Sequence, residues 1–292
     1  MKKTQTQWQT DQNRQERAAE LAESIIVHHG IVEPPIDPAV LARHEGQLRL
    51  IGDDFRQVFD GMLEYHRSRR RFLLFYNTKY DGDAGQHHPR TRFSLAHELG
   101  HFYIDRHRIY LMTGGSPHGS RGEFTTDKAI EREADAFAAA LLMPRPIFGR
   151  IVNRQPLHLA QVERCAEMFQ TSLVSTAIRS VQLSDFPCAV VSIRAGQLSW
   201  GFLSASVREG GCYAVHKGAL RSSTALEAWG AFAGGSGIRT SSFASSRSWF
   251  QTFDRAYLQD LTVQEEFLPV PVMNTLLVLL SIREQDLYPS LR

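Results

Sequence analysis

The stretch Ala96-His97-Glu98-Leu99-Gly100-His101 carries two histidines four residues apart, with a glutamate directly after the first. An α-helix repeats about every 3.6 residues, so the imidazoles of His97 and His101 lie on one face and can bind the same metal ion. Glu98 is turned about 100° from His97, where it can reach a water molecule beside the metal without binding the metal itself. The stretch therefore predicts a helix that carries a hydrolytic zinc site.

The flanking sequence supplies the context that this motif needs. Residues 71–76 are apolar and aromatic and predict a strand, and Ser94 offers an N-cap for the helix that follows. Leu95, Leu99 and Phe102 give that helix an apolar side. A surface helix with two solvated histidines is the simpler alternative, and the order of strand and then helix argues against it.

A catalytic zinc ion usually has three protein ligands, so a third one must lie elsewhere. His107 follows His101 by six residues, the spacing of metalloproteases that have a glycine between their second and third histidines. That glycine allows a sharp break in the helix, and here its position is occupied by Ile104. A β-branched residue adopts a positive φ only at a high cost, which disfavours His107.

A second helix, rich in alanine, is predicted over residues 130–143. Thr126 or Asp127 would cap its start, and Pro144 would end it. Its acidic residues could form a solvated face while Ala134, Phe137 and neighbouring apolar residues pack inward. Ligation of a metal by this helix is compatible with that packing, since a helix that supplies a ligand must be buried against the first.

Glu131 and Asp135 share one face of this second helix. A histidine that binds a metal normally donates its other ring N–H to a carboxylate or a carbonyl. Glu131 as ligand and Asp135 as hydrogen-bond partner would use both carboxylates, whereas Glu133 lies about 200° away. We therefore rank Glu131 first, Glu133 second and His107 third as the remaining ligand.

The two blocks, Arg92 to His101 and Glu131 to Pro144, resemble the ImmA/IrrE family of bacterial zinc metallopeptidases in order and spacing. The resemblance is strongest over about residues 30–145, and it implies a zincin-like metallopeptidase domain with a small sheet. It also implies a protein substrate, a DNA-binding repressor of the helix-turn-helix (XRE) type, whose cleavage would derepress stress, DNA-damage or mobile-element genes. Carried over position by position, the zinc ligands would be His97, His101 and Glu131, with Glu98 as the catalytic base.

The chain is long enough, at 292 residues, for two compact units and a connector. We predict an α+β protein with a metallopeptidase domain over residues 1–150, a helix-turn-helix-like segment over 151–184 and a mixed α/β domain over 185–292. Short apolar runs at 188–193, 198–203 and 212–215 predict strands in this last domain. The family resemblance implies that it is GAF-like, with sensing of a small ligand or substrate docking as possible roles.

The segment from Leu157 to Leu183 reads as two helices around the turn Gln170-Thr171-Ser172. A DNA-reading helix presents several polar and basic side chains, and the second helix offers mainly Arg179 and Gln182. The formal net charge is only +2. Direct DNA binding is therefore not expected, although a transcription factor that uses these helices remains the third alternative.

The first 80 residues contain the predicted helices and strands that precede the helix of His97 and His101. Helices are expected over 15–29, ended by Gly30, and over 37–46, capped by Asp37. Strands are expected over 47–51, 58–65 and 71–76, with the basic cluster at 67–71 in a solvated hairpin turn. An extended peptide substrate could add itself beside one of these strands, or they could serve only as ordinary sheet members.

Residues 108–128 read as a long loop because Gly114-Gly115-Ser116-Pro117 and Gly119 fall within it. Such a loop could be a lid over the cleft or a plain surface loop. Tyr103, Tyr110 and His118 are candidates for a second group that stabilises an oxyanion, and the sequence does not choose among them.

Three cysteines, Cys165, Cys188 and Cys212, are far apart and lack the spacing of a zinc finger or a redox pair. They predict reduced, structural thiols in a cytoplasmic protein. The N-terminus lacks the apolar core of a signal peptide, and the apolar run at 273–282 is too short to cross a bilayer. We therefore expect no membrane partner and a buried strand or helix over that run.

The motif and its context favour a zinc endopeptidase. A binding module that disables a repressor without cleaving it, with zinc as a structural ion, is the main alternative. Mn²⁺ or Fe²⁺ would also suit a site of two histidines and one carboxylate.

Overall fold

A computed structural model of the chain describes residues 5–82, 87–116, 129–253 and 261–287. The fold is mixed α/β, with helices and sheets in both halves. The chain divides into two compact units: the first comprises residues 1–148 and 166–172, and the second comprises residues 149–165 and 173–292. The helices over residues 145–169 therefore contribute to both units.

The first unit consists of helices and one small sheet. Helix α1 is long and buries Ala18, Ala22, Ile25 and Ile26, and Gly30 follows it with a φ of +65°. Helix α2 begins after Asp37, whose carboxylate accepts a hydrogen bond from the Ala39 amide at 2.8 Å. The elements in chain order are α1 (Gln5–His28), α2 (Pro38–His44), β1 (Leu48–Asp53), β2 (Gly61–His66), β3 (Arg71–Asn77), α3 (Pro89–Tyr103), α4 (Asp105–Met112) and α5 (Ala129–Leu142).

The sheet of the first unit has the order β1-β3-β2. β1 pairs with β3 in parallel, and β2 pairs with β3 in antiparallel fashion. The basic cluster forms the turn between β2 and β3, where Arg67–Arg69 make a single 3₁₀ turn and Arg70 adopts a left-handed conformation. The three predicted strands and the predicted hairpin are confirmed within one to three residues.

Helix α3, which carries His97 and His101, begins earlier than the sequence suggested. The prediction that Ser94 caps this helix is therefore wrong. The helix starts at Pro89, and the side chain of His88 accepts a hydrogen bond from the Arg90 amide at 3.1 Å. Proline is favourable in the first turn because it has no N–H that would be left without an acceptor. Ser94 instead lies buried within the helix.

The predicted loop over 108–128 is also partly wrong, because residues 105–112 form helix α4. Ile104 ends α3 with extended backbone at φ −76° and ψ 108°, and Asp105 then opens α4. The possible lid and the candidate caps Thr126 and Asp127 fall within residues 117–128, outside the described part of the chain.

The second unit is built on a six-stranded sheet in the order β7-β5-β4-β11-β10-β8, in which every pairing is antiparallel. β6 and β9 form a separate two-stranded sheet. The predicted strands of this region are confirmed, and the apolar run at 273–282 is a strand. The elements are α8 (Leu173–Leu183), β4 (Cys188–Arg194), β5 (Gln197–Leu203), α9 (Ala205–Glu209), β6 (Cys212–Val215), β7 (Gly218–Ala219), α10 (Ser223–Ala233), β8 (Thr240–Ser245), β9 (Phe250–Thr252), β10 (Thr262–Val270), β11 (Thr275–Ser281) and α11 (Glu284–Leu287).

The two central strands, β4 and β11, are buried on both faces. Helix α8 packs against β4 and β5. A hydrophobic core that includes Val191, Val278, Trp249 and Phe250 fills one face of the sheet. The three cysteines are buried and unpaired, and burial raises the pKa of Cys188 and of Cys212 to about 11.

Helices α6 (Arg145–Val152) and α7 (Leu159–Phe169) precede α8, and a turn at residues 170–172 separates α7 from α8. The two predicted helices around a short turn are thus confirmed. Arg179 does not point outward as predicted, since it is buried in α8. None of the helices in the described ranges combines the length and the hydropathy needed to cross a bilayer.

Candidate metal centre

Helix α3 brings the two histidines of the motif to a common point. His97 and His101 are both buried, and their Nε2 atoms lie 3.2 Å apart. This arrangement follows from the four-residue spacing, which places the two rings one above the other on the same helical face. Both ring nitrogens can therefore bind one cation.

Helix α5 places the carboxylate of Glu131 against this pair. Glu131 Oε2 is 3.2 Å from His97 Nε2 and 3.8 Å from His101 Nε2, and Glu131 is buried. Ligands about 2.05 Å from a tetrahedral zinc ion are separated from one another by about 3.3 Å. Two of the three distances between the side-chain atoms, at 3.2 Å, are close to this value, and the third, at 3.8 Å, is longer by half an ångström. Two imidazoles with one carboxylate are a donor set that suits zinc. These residues fit a zinc ion.

Asp135, one helical turn after Glu131, binds the other side of His97. Asp135 Oδ1 is 2.9 Å from His97 Nδ1. When Nδ1 carries the proton and donates it to this carboxylate, the lone pair of Nε2 faces Glu131 and His101. A carboxylate in this position fixes the orientation of the ring and increases the basicity of the nitrogen that faces the metal.

The cluster has a strong electrostatic preference for a positive charge. Burial on its own would lower the pKa of His97, but hydrogen bonds with Asp135 and Glu131 and the nearby charge of Glu98 raise it to about 10. These carboxylates thus favour a positive charge on the buried imidazole. A divalent cation bound here would neutralise the same charges.

Glu98 is buried and lies on α3 directly after His97. It is not among the three residues whose ligand atoms converge within 4.8 Å, which are His97, His101 and Glu131. Its carboxylate is close enough to His97 to stabilise the charged form of that imidazole. Its carboxylate therefore lies beside the His97 imidazole without belonging to the group of three.

Gly100 explains how α5 comes so close to α3, and the sequence analysis did not single it out. A Cβ atom on Gly100 would lie only 3.2 Å from the Cα of Ala134 and 3.2 Å from two side-chain atoms of Phe137. Ala134 and Ala138 on α5 are also small and are fully buried. Gly100 lies inside the histidine motif, so its small size was the signal that could have identified it.

The two lower-ranked ligand candidates lie beside the cluster without joining it. His107 is buried in α4, and its ring centroid is 4.9 Å from that of His101. Glu133 is also buried, and its Oε2 lies 3.3 Å from His107 Nε2 and contacts the guanidinium of Arg106. Burial, together with the positive charges of His101 and Arg106, lowers the pKa of His107 to about 3, so its imidazole is neutral.

The structure describes two of the three candidates for an oxyanion-stabilising group, Tyr103 and Tyr110. The hydroxyl of Tyr103 donates a hydrogen bond to Glu45 Oε1 at 2.6 Å, and its ring stacks against Phe137. Burial and this carboxylate raise the pKa of Tyr103. Tyr110 is about half exposed, and His118 lies outside the described residues.

Comparison with protein-family models gives one match, a peptidase family described as the IrrE N-terminal-like domain, over residues 83–180. This range contains both histidines, Glu98 and the whole of α5. Residues 83–180 are therefore similar to the IrrE N-terminal-like domain. The resemblance drawn from the two sequence blocks is thereby confirmed, and the match supports assignment of the domain to a metallopeptidase family.

The structure of the whole chain is similar to that of a Mycobacterium tuberculosis transcriptional regulator, with a TM-score of 0.57 and 13% sequence identity. The match covers 93% of this chain and 78% of the mycobacterial chain. At this identity, the similarity concerns the fold. A comparison with curated proteins gave no match. Together, the comparisons place the IrrE N-terminal-like domain within a chain that shares the fold of that regulator.

Proposed function

We propose that this protein is a zinc-dependent endopeptidase that cleaves a DNA-binding repressor of the helix-turn-helix (XRE) type. Cleavage would derepress stress, DNA-damage or mobile-element genes. The observation that carries the peptidase assignment is the convergence of His97, His101 and Glu131 from two helices, at separations that suit zinc. The family match and the name of the mycobacterial regulator support a regulatory role.

In this proposal, each residue of the cluster has a separate task. His97, His101 and Glu131 hold the metal, and Asp135 keeps the proton of His97 on Nδ1. Bound zinc would supply Lewis-acid chemistry, which polarises a peptide carbonyl and increases the acidity of a nearby water. Glu98 accepts the proton of the attacking water on its carboxylate and then delivers it to the nitrogen of the leaving amine. Zn²⁺ is the proposed ion, and Mn²⁺ and Fe²⁺ remain alternatives.

The small sheet offers a surface for an extended substrate. Among the described strands of the first unit, β1 and β2 lie at the edges of the sheet, and β2 contacts α3 and α4. We propose that the peptide pairs with β2, because that edge lies beside the helix that carries both histidines. A photo-crosslinker in place of Tyr65, in a Glu98→Gln background, should label the bound repressor, whereas labelling from β1 alone would contradict the choice of strand.

The proposal also assigns a role to each of three parts of the chain. Residues 1–150 would be the zincin-like metallopeptidase domain, 151–184 a helix-turn-helix-like segment that does not read DNA, and 185–292 a GAF-like domain of a cytoplasmic protein. The burial of Arg179 supports the absence of direct DNA binding, since it removes one of the two side chains that α8 would offer to bases.

A cleavage assay with a matched pair of variants tests the proposal. The zinc-loaded chain is incubated with a repressor that is encoded nearby, and new termini are mapped by mass spectrometry. We expect one main cleavage, which is lost in Glu98→Gln although zinc is still bound. Glu20→Gln, an equivalent change at an exposed position of α1, should cleave normally.

Two outcomes would reject the endopeptidase. If the Glu98→Gln variant cleaved the repressor fully, Glu98 would not be the catalytic base, and the proposed mechanism would be wrong. An intact repressor that nevertheless loses DNA binding when it forms a one-to-one complex with the chain would favour the alternative, in which the protein sequesters its partner. The same samples distinguish these outcomes when a DNA-binding measurement is made beside the mass spectrum.

A further inference from the structure

The second unit contains a surface cleft that is unrelated to the metal centre. It has a volume of about 430 Å³, which is within the range of small-molecule sites. Its floor is the two-stranded sheet of β6 and β9, in which Val215 pairs with Phe250. Arg221, Arg247 and His216 line it, and none of the described residues that line it is acidic.

The basic side chains of the cleft are arranged around His216. His216 Nε2 lies 3.1 Å from Arg221 Nη1 and 3.1 Å from the main-chain oxygen of Arg247. Burial, followed by the charge of Arg221, lowers the pKa of His216 and so disfavours the charged imidazole. Two exposed guanidinium groups therefore give the cleft its positive charge. Guanidinium groups bind carboxylates and phosphates through paired hydrogen bonds.

A buried carboxylate holds the two arginine-bearing segments in place. Glu265 is fully buried in β10 and accepts hydrogen bonds from Ser222 at 2.9 Å, from Trp249 Nε1 at 2.6 Å and from Thr224. Ser222 directly follows Arg221, and Trp249 lies two residues after Arg247. The hydrogen bonds of Glu265 thus fix the backbone near both arginines. A backbone that is already fixed loses less conformational entropy when a ligand binds.

The lining of the cleft also includes an exposed aromatic ring. Tyr213 lines the cleft and is 51% exposed. Its ring packs against that of Phe253 with the centroids 4.9 Å apart, and Phe253 is 60% exposed. Large aromatic surfaces exposed beside basic groups offer a stacking face for a planar ring.

We propose that this cleft binds a small molecule in which a phosphate or a carboxylate group is attached to a planar ring. Arg221 and Arg247 bind the anionic group, and the ring of the ligand packs against Tyr213. The proposal concerns only the second unit, and it does not depend on whether the metal centre cleaves peptides.

Ligand-detected NMR on the full chain tests the proposal with four probes: phenyl phosphate, benzoate, benzamide and inorganic phosphate. Phenyl phosphate and benzoate should bind, and their ratio of affinities identifies the preferred anion. Benzamide has the shape of benzoate without its charge and should bind at least about tenfold more weakly. Inorganic phosphate lacks the ring and should also bind more weakly than phenyl phosphate.

Variants connect this binding to the cleft. Arg221→Ala and Arg247→Ala should each weaken the binding of the anionic probes about tenfold, whereas lysine at either position should retain part of it. Tyr213→Ala should weaken the aromatic probes more than inorganic phosphate. Arg208→Ala changes an exposed arginine of α9 in the same unit and should have no effect.

The proposal is wrong if neither aromatic anion binds at millimolar concentration, or if benzamide binds as well as benzoate. It is also wrong if the three alanine variants, shown to be folded by circular dichroism, bind the probes as the unmodified chain does. Equal losses in Arg208→Ala and Arg221→Ala would indicate a general charge effect and would reject the assigned site as well.

Discussion

Glu131 in the first unit and Glu265 in the second are both buried glutamates, but their surroundings differ in kind. Glu131 faces two imidazoles, and a further carboxylate, Asp135, lies on the other side of His97. Glu265 accepts hydrogen bonds from two hydroxyls and one indole N–H. The first group consists of ionisable side chains, and the second consists of neutral donors around one acceptor.

This difference distinguishes a candidate functional site from a contact that stabilises the fold. Neutral donors satisfy the oxygens of Glu265 without any added ion, so this carboxylate can stabilise the fold alone. In the cluster around Glu131, by contrast, several carboxylates surround a buried imidazole. Their hydrogen bonds and charges raise the pKa of His97 to about 10. Buried ionisable groups that shift one another's protonation are typical of functional sites. A bound cation would balance the charges of the Glu131 cluster, whereas the oxygens of Glu265 already have donors.

The largest effect should come from Glu131→Gln. A metal ligand should matter more than the hydrogen-bond partners around it, whose loss typically costs 10- to 100-fold in affinity. We therefore expect the affinity for zinc to fall at least about 100-fold. Competition with a chromogenic chelator measures it.

Glu133→Gln is the matched control for this change. Glu133 lies two residues away, is equally buried and contacts Arg106 and His107 rather than the two histidines of the motif. Its substitution should alter stability more than zinc affinity. If Glu133→Gln lost zinc while Glu131→Gln retained it, the order of the ligand candidates would be reversed.

Glu265→Ala should have the next largest effect, and on folding rather than on metal binding. It leaves the N–H of Trp249 without an acceptor in the core, and the hydroxyls of Ser222 and Thr224 can then donate only to each other, so the free energy of unfolding should fall by about 3 kcal/mol. Urea denaturation, monitored by circular dichroism, measures this loss. Glu265→Gln keeps one oxygen and should cost less, and the zinc affinity of both variants should be unchanged. A loss of zinc on changing Glu265 would contradict the separation of the two sites.

Asp135→Asn should have a smaller effect on zinc. The amide retains the size of the carboxylate but not its charge, so it still accepts from His97 Nδ1 while it stabilises a cation less. We expect the affinity to fall about 10-fold to 100-fold. An unchanged affinity would show that Asp135 serves only the packing of α5.

Much of the metal centre could be predicted from the sequence because helical spacing determines which side chains share a face. His97 and His101 are brought together by one helix, and Glu131 and Asp135 by another. The ranking of Glu131 above Glu133 used the same argument, and the structure places only Glu131 near the histidine pair. Strands were also predictable, since the apolar run at 188–193 becomes the buried strand β4.

Features that depend on contacts between distant segments could not be predicted in this way. Ser94 has the side chain of an N-cap, but Pro89 allows the helix to start earlier and His88 caps it. Arg179 was expected on the outer face of α8, and tertiary packing buries it. The cleft in the second unit is lined by residues between 213 and 252. Glu265 binds Ser222, next to one of the arginines of the cleft, and no local sequence pattern predicts this contact.

The smallest effect should come from Gly100→Ala, which tests whether close packing of α3 and α5 sets the geometry of the metal centre. Alanine favours a helix over glycine by about 1 kcal/mol, but here its Cβ would lie 3.2 Å from the Cα of Ala134. Because that neighbour is backbone, α5 must move by a few tenths of an ångström, and Glu131 moves with it. We expect stability to change by less than about 1 kcal/mol, while zinc affinity falls several-fold.

Gly230→Ala is the matched control, because Gly230 also lies within a helix and nothing is within 4 Å of a Cβ built on it. It should stabilise the second unit by up to about 1 kcal/mol and leave zinc binding unchanged. Chelator competition and urea denaturation on both variants separate helix propensity from packing. If Gly100→Ala gained stability as Gly230→Ala does and bound zinc normally, the close approach of the two helices would not be what positions Glu131.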